Sequence, residues 1–97
     1  MSEMNRTEPD ARALEDAVAQ VRELIAHREN REAQILACVR EGIVTIPEMV
    51  ERMYATVDRR LHPAARQSVL SHIIHMVETA RLSCDGPPAM HSDYRLA

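Results

Sequence analysis

Residues 63–96, PAARQSVLSHIIHMVETARLSCDGPPAMHSDYRL, decide the fold. The stretch opens on Pro63, whose missing N–H costs nothing in a first helical turn. Leu70, Ile73, Ile74 and Val77 then recur at helical spacing and predict a helix ending near Ala80 or Arg81. Leu82-Ser83-Cys84 and Asp93-Tyr94-Arg95-Leu96 follow, separated by the turn formers Asp85-Gly86-Pro87-Pro88. Two short extended segments around a Gly/Pro loop predict a β-hairpin.

Upstream, Thr45 and Glu48 have capping-box spacing with Pro47 between them, predicting a helix from Ile46 to about Ala55 that buries Met49, Val50 and Met53. Val57 to His62 reads as the connecting loop. Ile43-Val44-Thr45-Ile46 is short and β-branched, so a brief strand is expected there. Before it, Ile35, Leu36 and Val39 mark a helix ending near Gly42, a residue suited to the left-handed position after a helix. Three helices, a small strand and a closing hairpin define a mainly α fold, a winged helix-turn-helix over residues 28–97.

A further amphipathic helix precedes it. From about Pro9 to His27, Leu14, Val18, Val21 and Ile25 fall on one stripe, widened by Ala17 and Leu24. Arg12, Glu15, Asp16, Arg22 and Glu23 occupy the other faces, and Thr7 with Asp10 has the form of a capping box. Residues 10–27 are therefore expected as an amphipathic helix behind a flexible N-terminus of residues 1–9. The charged segment His27-Arg28-Glu29-Asn30-Arg31-Glu32 separates this stripe from the next. An apolar stripe needs a cover: the rest of the domain, a partner or a second copy. Leu14, Val18, Val21, Leu24 and Ile25 are the candidate docking residues.

Composition narrows the function. Ninety-seven residues make one domain, with 45% apolar and 28% charged residues, as in ordinary globular chains. The core must be aliphatic, because Phe and Trp are absent and Tyr54 and Tyr94 are the only aromatics. No apolar run approaches the roughly 20 residues of a membrane span, and the polar N-terminus is unlike a signal peptide, so a cytoplasmic protein is expected. Net charge is −3; residues 1–41 carry nine acids against six arginines, and residues 42–97 carry six of each. That balance argues against general nucleic-acid binding, which draws most of its affinity from phosphate neutralisation. Cys38 and Cys84 are too few for a metal knuckle or a disulfide framework.

No catalytic constellation is evident. His72, His75 and Glu78 follow one another at three-residue spacing, but that pattern more often marks a solvated surface than a metal site, and no metal or cofactor is expected. Ser68 and Ser71 lack any nucleophile motif. On the recognition helix the outward residues are read as Gln67, Ser71, His72, His75, Glu78 and Thr79. Only Gln67 and the neighbouring Arg66 are good base readers, and Glu78 has the wrong sign for phosphates. Arg59, Arg60, His62 and Arg66 cluster at the positive end of that helix; with Gln67 and His72 they are the candidate anion or nucleic-acid contacts.

The blocks His27-Arg28, Arg31-Glu32-Ala33-Gln34-Ile35-Leu36, Leu61-His62-Pro63-Ala64-Ala65 and Ser68-Val69-Leu70-Ser71-His72-Ile73 resemble the metallo-β-lactamase-associated winged-helix domain. The closing Asp85-Gly86-Pro87-Pro88 and Tyr94-Arg95-Leu96-Ala97 fit it too, so the resemblance spans about residues 20–97. In that family the domain usually follows a zinc-dependent metallo-β-lactamase-fold hydrolase on the same chain. The hydrolase holds zinc through a His-x-His-x-Asp-His cluster. This chain has no such cluster; His27, His62, His72, His75 and His91 are scattered. The resemblance thus implies a fold and an association with hydrolases, not an activity of this chain. It makes three readings: a non-catalytic module docking on such a hydrolase or on a second copy, a small nucleic-acid-binding protein, or the C-terminal piece of a longer zinc hydrolase.

Overall fold

The computed structural model describes residues 11–97. The Thr7–Asp10 capping box and the N-terminal segment expected to be flexible lie outside the described residues. Helix α1 (Ala11–Arg40) is followed by α2 (Ile46–Met53), a single 3-10 turn (Arg59–Leu61), α3 (His62–Glu78), and the strands β1 (Leu82–Ser83) and β2 (Arg95–Leu96). The strands pair antiparallel, Leu82 with Leu96 and Ser83 with Arg95. This is a winged helix-turn-helix.

The charged segment 27–32 does not divide α1. It holds neither Gly nor Pro, and residues such as His and Asn cost a helix less than about 0.7 kcal/mol each, too little to break a continuous ladder. One 30-residue helix, about 45 Å long by its rise per residue, replaces the two expected. Gly42 ends its cap at φ +86, with Gly42 N–H donating to the Val39 carbonyl and Ile43 N–H to the Cys38 carbonyl. That pair of bonds is a Schellman cap. The end of α3 repeats it with Ala80 at φ 60: Ala80 N–H donates to Val77 and Arg81 N–H to Met76.

The strand expected at residues 43–46 is absent. Among the described residues its one backbone hydrogen bond to the wing is at the Val44 carbonyl, which accepts from Tyr94 N–H at 3.0 Å. A Gly-capped helix ending at residue 40 and another starting at Ile46 leave no room for a ladder. Thr45 does sit at the N-cap of α2 with extended backbone, but its side chain makes no capping bond. Helix α2 stops at Met53, two residues short of the expected end.

The core joins Ile35, Cys38 and Val39 of α1, Ile46, Met49 and Val50 of α2, Ala65, Val69, Ile73 and Met76 of α3, and Leu82 and Tyr94 of the wing. The buried face of α3 is turned from the expected one. Of Leu70, Ile73, Ile74 and Val77, only Ile73 is fully buried; Ile74 is exposed. Covering α3 falls to α1, α2 and the wing, with residues 65, 69, 73 and 76 as its buried row. Residues 11–30 are all exposed, and about the first half of α1 projects from the domain before Leu24, His27 and Arg28 come alongside α3. The radius of gyration, 18.3 Å, exceeds the about 13 Å of a compact chain this long for that reason.

Candidate interaction surface

The projecting half of α1 and its buried half share one face. Leu14, Val18, Val21 and Ile25 are separated by four, three and four residues, and the same alternation continues through Arg28, Glu32, Ile35 and Val39. The last three are buried in the domain. The first four are about half exposed, and Leu24 beside them is 69% exposed. The stripe therefore does not change character along the helix; the rest of the domain ends and leaves it bare. A shallow apolar groove of roughly 400 Å³, lined by Leu14, Ala17, Val18, Val21 and Arg22, runs along it. Of the covers the sequence allowed, the domain itself is not the one used.

Where the stripe enters the core, Glu32 is the one buried charged residue among the described residues. Its Oε1 accepts from the Arg81 guanidinium at 2.8 Å, and its Oε2 accepts from His75 Nδ1 at 3.0 Å. His72 Nδ1 stands 3.9 Å from the same oxygen. A carboxylate only accepts, so His75 carries its proton on Nδ1. Arg81, 3.2 Å from that nitrogen, is then a neighbour rather than a donor to it. Burial pushes the Glu32 pKa up, but the bonds from His75 and Arg81, with their charges, outweigh it and hold the carboxyl below its usual range. Burial lowers the His72 pKa; Glu32 opposes this, while Arg28, Arg31 and His75 add to it.

This cluster turns His72 and His75 toward α1 rather than outward on the recognition helix, and Glu78, exposed, does not join them. Arg81 occupies the carboxylate oxygen a cation would need. Among the described residues no group of His, Cys, Asp and Glu is arranged to hold a metal ion. Sequence reasoning missed Glu32 as a structural centre. Its register, seven residues after Ile25 and three before Ile35, was the signal that would have found it.

The candidate anion contacts are not gathered into one site. Arg60 is tied to Asp58, which receives its side-chain and backbone N–H bonds, the shortest at 2.8 Å. His62 donates from Nε2 to the Tyr54 carbonyl at 3.1 Å, stitching the turn between α2 and α3. Arg66 Nε is buried without a hydrogen-bond partner, and Arg59 and Gln67 are exposed. His72 lies a helix face away beside Glu32. It lines instead a cleft of roughly 480 Å³ between α1 and α3, with Leu24, His27, Arg28, Arg31 and Ser68. Arg31 is itself engaged, donating to Gln34 Oε1 and stacking 4.8 Å above the Tyr54 ring.

Fold and surface together define a winged-helix protein with a projecting, half-bare amphipathic helix. Residues 45–83 match the family model of the beta-lactamase associated winged helix domain. The match takes in α2, α3 and β1 and supports the resemblance seen in the sequence, over a shorter stretch than residues 20–97; α1 and β2 lie outside it. No solved structure matches the chain.

Proposed function

We propose that this chain is a non-catalytic accessory module associated with metallo-β-lactamase-fold hydrolases, working by protein contact, the bare stripe of α1 docking on such a hydrolase or on a second copy. The carrying observation is that Leu14, Val18, Val21, Leu24 and Ile25 form one face that nothing in the domain covers. Fully burying a side chain of this kind is worth about 1.5–3 kcal/mol, so five half-exposed ones leave several kcal/mol available to an occupant. The family match supports the link to hydrolases, and the absence of a zinc-ligand motif in the sequence supports a role without chemistry of its own.

The test is capture of the tagged chain's partners from its source lysate after nuclease treatment, with Val21→Asp in parallel. A metallo-β-lactamase-fold protein or a second copy of the chain, retained by the native chain and lost with Val21→Asp, is the expected result. Unchanged retention, oligomeric state and stability in the variant would remove the stripe from the function.

The nucleic-acid reading draws on fewer observations, since Asp58 neutralises Arg60 and His62 is bonded within its turn. With three arginine contacts its binding would follow a log–log salt slope of only about −3. Flat fluorescence anisotropy with duplex and single-stranded probes at low salt is expected.

A further inference from the structure

We propose that the occupant of the α1 stripe is the same stripe of a second copy, running in the opposite direction. The inference rests on the reading of the stripe as a docking surface and adds the partner and its orientation.

The spacing of Leu14, Val18, Val21 and Ile25 is that of a coiled-coil seam, with the β-branched Val18 and Ile25 at one seam position and Leu14 and Val21 at the other. Antiparallel pairing brings the two kinds of position together. Leu14 then meets Ile25 of the second copy and Val18 meets Val21, and each layer recurs by symmetry, so all four residues are covered at once. The flanks decide the direction. Glu15 and Arg22 lie on one edge of the seam, seven residues apart, and Ala17 and Leu24 lie on the other. In the antiparallel alignment like edges face each other. Glu15 sits within a helical turn of Arg22 in the second copy, twice over, and Leu24 packs over Ala17. A parallel alignment sets Arg22 against Ala17 and Glu29 against Leu24, with no charge pair and two charges laid on apolar residues.

The exposure of residues 11–30 on every face leaves the helix free to accept a partner along this length. The antiparallel arrangement also sends the two winged-helix units to opposite ends. The Glu32 residues of the two copies would lie about 37 Å apart along the axis, from 25 residues of helical rise. Neither unit obstructs the other.

Sedimentation of the full chain across a concentration series tests this. The native chain sediments as a dimer, and Val21→Asp as a monomer with its winged-helix unfolding transition retained. Glu15→Arg and Arg22→Glu each weaken the dimer about tenfold, since each turns two attractions into two repulsions. The double variant E15R/R22E restores it. The two single variants move net charge in opposite directions, so weakening by both excludes a general charge effect. A dimer indifferent to the charge swaps overturns the antiparallel arrangement. A native chain monomeric at every concentration overturns the second copy as occupant. Capture of a hydrolase through the stripe by such a monomer would still uphold the docking function.

Discussion

Arg81 donates to Glu32 across 2.8 Å, joining the middle of α1 to the residue at which α3 hands over to the wing. The contact spans the three parts of the domain whose relative placement local sequence does not set. Glu32 is buried, whereas Arg81 and His75 keep about two-fifths of their side chains in water. The carboxylate therefore depends on its partners more than they depend on it.

Glu32→Ala is expected to destabilise the domain by about 1–2 kcal/mol. This is below the 3–5 kcal/mol typical of breaking a fully buried pair, because Arg81 and His75 turn to solvent once the carboxylate is gone. Urea unfolding checks the value. Arg81→Met, which strands the buried charge, should cost more than Glu32→Ala.

Stability should fall in two stages on acidification. His72 has its pKa lowered in the fold, so the unfolded chain binds its proton first and stability declines as pH drops below about 6.5. Glu32 is likewise depressed, so its contribution is complete above about pH 4.3 and is lost below that. The groups facing His72 are Glu32, Arg28, Arg31 and His75, and burial with the three basic residues outweighs the acid. Unfolding midpoints measured from pH 8 to pH 3 should show both stages. Replacing His72 with Asn should remove the upper one and Glu32→Gln the lower.

The two Schellman caps predict substitutions of opposite sign. Ala80 holds φ 60, a conformation that costs a residue with a Cβ about 1–2 kcal/mol, part of which glycine's greater unfolded-state freedom cancels. Ala80→Gly should stabilise by about 0.5–1 kcal/mol. Gly42→Ala should destabilise by about 1 kcal/mol through backbone strain alone, since a Cβ there would meet nothing within 4 Å. Thermal melts of the two variants decide it.

Tyr94 is buried, and its hydroxyl accepts from Ala89 N–H at 3.0 Å while donating to the Ala89 carbonyl. Tyr94→Phe should cost about 1–2 kcal/mol and speed amide exchange in residues 84–94, leaving α1 to α3 protected. Uniform acceleration across the domain would show that the wing is not a separate element held by this ring.

Much of the fold was legible because its signals are local. The Thr45–Pro47 helix start, the Gly42 stop, the Gly86-Pro87-Pro88 turn and the row of apolar residues in α1 each act through neighbours in sequence. The misreadings share a cause in contacts made at a distance. Polar residues 27–32 separate two apolar stripes in the sequence, yet polarity does not break a helix, and both stripes lie on one continuous α1. Residues 43–46 have strand-like side chains, but a strand exists only where a partner ladder is available, and the wing offers Val44 a single bond. Ile74 belongs to the apolar row of α3 by composition and lies outside the row that α1, α2 and the wing cover.

By itself, then, the sequence determined which segments are helical, the Gly42 stop, the hairpin of the wing, and that Leu14 to Ile25 form one apolar face. Those properties follow from backbone conformational preference and side-chain period, which need no other part of the molecule. Only the tertiary structure decided that this face is left bare, that α1 is continuous beneath it, and that Glu32, His72, His75 and Arg81 meet. Burial and ion pairing depend on what other segments bring to the same place, and residues 32 and 75 stand 43 positions apart in the chain.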